Sequence, residues 1–159
     1  MKLSKKADYG LIAARYLARH GATAACSASD ISEACGISGT LMAKVLQKLA
    51  KAGLVVSRHG SGGGYQLARD AAEISVFAII DAIDGPLTIT SCVTTRGECE
   101  QALTCTVREP LRRVNDSILQ ILRTVTISQM SEDSSEAGLV DLPSKGGTHH
   151  VREVADLPG

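Results

Sequence analysis

Cys92, Cys99 and Cys105 place three thiols within fourteen residues. Six residues separate the first pair and five the second. In a chain with no sign of export, such a cluster is seldom a disulfide framework. The spacing fits neither the zinc CxxC pairs nor the common ferredoxin runs. Three thiolates are nevertheless good donors for iron–sulfur clusters or zinc, and leave one coordination place for a different ligand. That ligand must come from elsewhere in the chain or from another subunit. Cys26 and Cys35 stand apart. Cys35 reads as a small core residue, and Cys26 as an inert loop thiol that exposure would make oxidisable. His149-His150 is a second candidate metal site, but two adjacent histidines supply too few ligands.

A second set of residues has the chemistry of nucleic-acid binding. The chain has 17 Lys+Arg and 17 Asp+Glu in 159 residues, so its formal charge is zero. The zero hides segregation. Residues 1–70 carry ten basic and four acidic side chains, and the remainder seven and thirteen. A basic half and an acidic half raise the prior for a polyanionic partner. No apolar run approaches the length of a membrane span, and MKLSKKADYG is too polar for a signal peptide. A cytoplasmic protein is expected. At 44% hydrophobic residues the chain should have a folded core.

Elements must position these groups. The 3.6-residue period of Leu3, Ala7, Leu11, Ala14 and Leu17 predicts a helix from Ser4 to His20, ended by Gly21. Ser27 and Asp30 predict the start of a short second helix with Ile31 and Ala34 inward. After the Gly36-Ile37-Ser38 break, a third helix runs from Gly39 to Ala52 on a buried stripe of Leu41, Val45, Leu46 and Leu49. Its outer face carries Thr40, Lys44, Gln47, Lys48 and Lys51. Residues 54–57 and 65–67 read as a hairpin around a glycine-rich turn. Ser75 caps a helix through Asp84 with Val76, Ile79, Ile80 and Ile83 on one side. Thr106 and Glu109 resemble a capping box. Val107, Leu111, Val114, Ile118, Ile121 and Val125 then form a heptad-like seam.

Short helix, glycine turn, amphipathic helix and hairpin form the pattern of a winged helix-turn-helix. The expected fold is mainly α with a small β-hairpin wing, plus a long dimerisation helix. Residues 1–86 form the DNA-binding region, 87–106 the cysteine loop, 107–130 the dimerisation helix and 131–159 a disordered tail. In the major groove the third helix presents Ser38, Gly39, Thr40, Ala43 and Lys44 to base edges. Lys48, Lys51 and Lys5 are expected to meet phosphates, with Lys6 able to add another contact. Arg58 or His59 carries the wing to the flanking groove. Gly60-Ser-Gly-Gly-Gly64 lacks the GxxxxGK[ST] spacing of a phosphate loop and precedes a strand, not a helix. A helical interaction domain without a DNA role is the weaker reading, given the basic outer faces. A thiol-dependent enzyme needs a nucleophile–base pair, and no motif links His20 or His59 to a cysteine.

MKLSKKADYGL, GLVVSRHGSGGGYQLAR and the cysteine loop followed by a long helix resemble the Rrf2 family of transcription regulators, which includes IscR-, NsrR- and RirA-type members. The likeness covers about residues 1–130. It is nearest to regulators of SUF-type iron–sulfur assembly, on Ile89-Thr-Ser-Cys92, Arg112-Arg-Val-Asn-Asp116 and Arg123-Thr-Val-Thr-Ile-Ser-Gln-Met130. The resemblance implies a homodimer that binds a double-stranded operator and holds an iron–sulfur cluster on Cys92, Cys99 and Cys105. It implies 2Fe–2S ahead of 4Fe–4S, and no enzyme activity. Two positions depart from the pattern. IscR-type members have a histidine three residues after the last cysteine, where this chain has Arg108. NsrR-type members use an aspartate near the N-terminus of the other subunit, and Asp8 stands there, so Asp8 is the expected fourth ligand in trans. In the wing, arginine usually precedes the glycine directly, whereas this chain reads Arg58-His59-Gly60. Nitric-oxide or iron sensing, and a cluster-free thiol switch, are the alternatives within the same architecture.

Overall fold

Ser4 starts the first helix as its sequence position predicts. In the computed structural model, which describes residues 3–88 and 105–132, the Ser4 hydroxyl accepts the Ala7 N–H at 3.1 Å. Helix α1 spans Lys5–His20. It buries the small side of its surface, Ala7, Gly10, Ala13, Ala14 and Leu17. That face lies against helix α4, Val76–Asp84. A Cβ at Gly10 would stand 3.2 Å from both Ile79 and Ile83, so the close approach depends on its absence. Asp84 closes the same contact by accepting the Ser4 N–H at 3.1 Å.

Helix α2, Ala28–Cys35, has a reciprocal capping box between Ser27 and Asp30. The bonds from the Ser27 hydroxyl and backbone hold the Asp30 carboxyl below its ordinary range. Ala34, expected inward, is exposed, and Ser32 is buried instead. Ser32 tolerates this because its hydroxyl donates to the Ser29 carbonyl at 2.9 Å. Gly36 turns the chain in the left-handed region, φ 64°. Helix α3, Gly39–Lys51, follows and buries Met42, Val45, Leu46 and Leu49. The stripe is rotated from the expected one. Met42 is fully buried, whereas Leu41 sits half-buried at its edge. The unbranched methionine fills the space under the helix.

Strands β1, Val55–Arg58, and β2, Gly64–Leu67, pair antiparallel with Val55 opposite Leu67 and Arg58 opposite Gly64. Both reach one residue nearer the turn than the pattern predicts. Cys26, expected as an inert loop thiol, has no exposure that would make it oxidisable. It is buried, and exchanges both backbone hydrogen bonds with Tyr65, at 3.0 and 2.7 Å. The base of the wing is thus stitched to the loop before α2. Burial pushes the Cys26 thiol up, and the Asp30 charge adds to that. Gly64 permits the stitch. Its φ is 154°, and a Cβ there would overlap the Cys26 carbonyl. Gly64→Ala should therefore part the wing from its base and cost about 2–4 kcal/mol. Chemical denaturation would read the loss, and an unchanged midpoint would count against this stitch.

Helix α4 begins at Ser75, whose hydroxyl accepts the Ala78 N–H, and buries Val76, Ile79, Ile80 and Ile83 as expected. Helix α5, Arg108–Thr124, opens at Val107 with no side-chain cap. The expected Thr106–Glu109 box does not form. Glu109 turns to the Arg112 guanidinium at 2.9 Å and to Arg113 at 3.3 Å. The Arg112 hydrogen bond leads in pulling the Glu109 carboxyl down to about 2. These pairs are solvent-exposed and add little stability.

The helix expected to run to Met130 breaks at Val125, and helix α6, Ile127–Ser131, starts under a Thr126–Gln129 capping box. Thr124, Val125, Thr126 and Ile127 are all β-branched, which favours extended backbone here. The break is used. Val76 N–H donates to the Val125 carbonyl and Ile127 N–H to the Ile74 carbonyl, both at 2.9 Å. This bridge joins the end of α5 to the start of α4. Ile74 and Ile127 enter the common core with Leu17, Met42, Leu46, Leu49, Ile79 and Ile80.

Candidate nucleic-acid interface and sensor elements

The surface of α3 is set by its buried stripe. With Met42, Val45, Leu46 and Leu49 turned inward, Thr40, Lys44, Gln47, Lys48 and Lys51 are exposed. Ser38 and Gly39 are also exposed, while Ala43 is half-buried. Ser38 makes no capping bond. The first backbone N–H groups of α3 therefore lack that partner at the electropositive end of the helix. Lys5 is exposed on the first turn of α1.

Lys48 is on the outer face as expected, but it also has a partner within the protein. Its ammonium donates to the Ile83 carbonyl at 2.6 Å, at the C-terminal end of α4. A cation there satisfies a terminal carbonyl and complements the helix dipole. Sequence periodicity placed Lys48 on the outer face but carried no information about a partner 35 residues away.

In the wing, Arg58 and His59 are both exposed. Arg58 donates from Nε to the Gln66 side-chain carbonyl at 3.3 Å, and Gln66 donates from Nε2 to the Gly21 carbonyl at 2.9 Å. Gln66 is thus a positioning residue for Arg58 that the sequence reading missed. The available signal was its diagonal place across the hairpin from Arg58, on the facing strand.

A half-buried hairpin beside a projecting, lysine-flanked helix is the geometry of a winged reader, and the comparisons agree with it. Residues 3–133 match the family model Rrf2, described as "Iron-dependent Transcriptional regulator". The chain belongs to the Rrf2 family. Over 141 residues this Rrf2 regulator is 33% identical to the HTH-type transcriptional regulator IscR of Vibrio vulnificus, covering 89% of this chain and 83% of that one. Its fold is similar to the solved structure of T. potens IscR, with a TM-score of 0.68 and 31% identity over 88% of this chain and 93% of that one. It is also similar to Staphylococcus aureus CymR, crystallised in an oxidised form, with a TM-score of 0.65 and 28% identity over 83% and 97% of the two chains. It is an IscR-like transcriptional regulator of winged-helix fold, among relatives named as regulators and not as enzymes.

The residues expected to hold a cluster in this Rrf2 regulator fall only partly within the described region. Cys105 is a free, half-buried thiol just before α5. Cys92 and Cys99 lie outside the described residues, as do His149, His150 and the expected tail. Among the described residues no group of three or more His, Cys, Asp or Glu comes together. Asp8 is exposed in the first turn of α1. Arg108, one turn beyond Cys105, is exposed and cationic, with no lone pair for a metal. Cys35 is half-buried against the core, and burial pushes its thiol up.

The seam of α5 is uncovered. Val107, Val114 and Ile121 recur every seven residues and are 56%, 50% and 42% exposed. Leu111 and Ile118 lie half-buried on the same helix. Arg123 stacks its guanidinium over Phe77 of α4, 4.6 Å from the ring centre. Among the described residues no helix is long and apolar enough to cross a membrane.

Proposed function

We propose that this Rrf2 regulator is a cytoplasmic homodimer that binds a two-fold operator and represses SUF-type iron–sulfur assembly genes when its own cluster is present. The exposed face of α3 carries the DNA half of this reading. Ser38, Gly39, Thr40, Ala43 and Lys44 lie where a recognition helix meets base edges. Lys5 and Lys51 take backbone phosphates, and Lys48 meets them only through the two N–H groups not given to Ile83. Arg58, held by Gln66, and His59 serve the flanking groove.

The donor chemistry fits an iron–sulfur cluster. Cys92, Cys99 and Cys105 supply three thiolates, Cys105 is free, and the Asp8 carboxylate of the second subunit supplies the fourth donor. Bound there, the group supplies a redox- and iron-sensitive link between the cysteine loop and α5. The chain's own part is to hold that loop next to the dimer helix, with 2Fe–2S ahead of 4Fe–4S.

A cluster-free thiol switch is the second reading, favoured by the likeness to a regulator crystallised in an oxidised form. Iron and sulfide analysis after anaerobic purification separates the two. In either case the reactive thiols are those of the loop. Burial raises both Cys26 and Cys35, which lowers their thiolate fraction at neutral pH. Brief alkylation at pH 7.5 followed by peptide mass mapping should leave Cys26 unmodified. Modification of Cys26 ahead of the loop cysteines would contradict its burial.

The division of labour on α3 has its own test. Lys51→Ala should weaken all DNA sequences alike and reduce the slope of log K against log salt by about 0.9. Thr40→Val and Lys44→Ala should change which bases are preferred, at about 1–3 kcal/mol per lost base contact. The same effect from all three would remove the base/phosphate division.

A further inference from the structure

Lys48 has a place in a second feature of the molecule. Its ammonium, fixed on the Ile83 carbonyl, lines a cavity of about 240 Å³ between α3, the first turn of α1 and the end of α4. Lys6, Lys44 and Lys51 are its other cations. Leu41, Val45 and Ile83 are its apolar lining. A phosphate needs the lysines but has no use for the apolar surface. A ligand with acidic groups beside branched apolar side chains uses both.

The chain contains such a segment. Glu136-Ala-Gly-Leu-Val-Asp-Leu142 sets two carboxylates around Leu139, Val140 and Leu142, with no basic residue among them. Residues 133–159 hold five acids against Lys145 and Arg152. They follow α6, which packs on α1, the helix that supplies Lys6. From Glu132 to Leu139 the backbone spans at most about 25 Å, comparable to the diameter of a domain whose radius of gyration is roughly 13 Å. Three of the cavity lysines, Lys44, Lys48 and Lys51, also belong to the exposed face of α3.

We infer that residues 136–142 dock into this lysine-rimmed cavity and compete with DNA for α3. The competition rests on the DNA-binding reading above, whereas the docking does not. Tethering gives such a segment an effective concentration of the order of millimolar, so even a weak contact would be occupied. Salt should weaken the contact, because exposed charges carry part of it.

The full-length chain bearing Leu139→Ser, Val140→Ser and Leu142→Ser together keeps every charge and touches no core residue. Its operator affinity should rise about tenfold over the unaltered chain at low salt, if a contact of roughly 0.1 mM is lost. An unchanged affinity would overturn the inference. So would relief by Glu136→Gln with Asp141→Asn but not by the three serines, since the segment would then act by charge alone. A second measurement needs no DNA. A synthetic peptide of residues 133–144, titrated into the triple-serine chain, should shift the amide resonances of Leu41, Val45 and Ile83. Shifts elsewhere, or none, would overturn the docking. Shifts produced by octanoate but not by the peptide would give the cavity to a small amphipathic anion instead. If no chain binds operator, the DNA reading fails alone and the peptide titration still decides the docking.

Discussion

Cys92→Ala, Cys99→Ala and Cys105→Ala are each expected to yield a colourless protein where the unaltered chain, purified without oxygen, absorbs in the visible. Each removes one of three thiolates from a site whose only other proposed donor is a carboxylate. Operator affinity should change with the colour. Coupling between a sensor and a DNA site is typically about 1–3 kcal/mol, or roughly 5–150-fold. Cys26→Ala and Cys35→Ala are the controls. Both thiols are free, lie in or against the core and stand outside the cysteine loop in sequence, so these variants should stay coloured. Asp8→Ala should retain three thiolates and lose the cluster faster in air, whereas Arg108→Ala should leave the visible spectrum unchanged. A wild-type chain that remains colourless and iron-free after anaerobic reconstitution would refute the cluster and favour the thiol switch.

Val114→Asp and Ile121→Asp should convert the protein to monomers. Both side chains are about half exposed in the single chain, so a charge there leaves the fold intact. In a two-fold interface each substitution occurs twice. Losing the burial of one Val or Ile costs about 1.5–3 kcal/mol. Two copies therefore cost about 3–6 kcal/mol, or at least 100-fold in the dimer constant, before like-charge repulsion. Sedimentation should show the monomer, with an unchanged far-ultraviolet spectrum and operator affinity falling by at least 100-fold. A variant that still sediments as a dimer would place the interface on another face.

Local signals in the sequence carry most of this fold. Ser27 and Ser75 each open the helix that their capping chemistry predicts, and the helix predicted from the apolar period after Ser4 starts there. Val76, Ile79, Ile80 and Ile83 form the buried face that their spacing predicts. What the sequence hid depends on distant neighbours. Cys26 looks like a loop thiol until Tyr65 pairs with its backbone. Thr106 and Glu109 have the spacing of a cap, but two arginines on the next turn offer the carboxylate a stronger partner. The seam over 107–125 keeps its period right up to the break at Val125, because period does not register an extended residue at its end. The exposed face of α3 was legible because an amphipathic helix presents whatever its buried stripe leaves outside. Lys48 shows the limit of that argument, since an exposed side chain can still be committed inward.

The bridge between Ser75 and Thr126 gives α5 the mechanics of a lever. Its 17 residues make a rod about 25 Å long. One end is pinned to the start of α4 by the bonds at Val76 and Ile127, and the other end adjoins Cys105. A tilt of about 10° about the pin would carry the Cys105 end roughly 4 Å while the pinned end hardly moves. A rearrangement of the cysteine loop would thus be geared down before it reached α4, and through the Lys48–Ile83 bond α3. Such gearing trades distance for force, which suits a device that must reposition a well-packed helix by a small, defined amount.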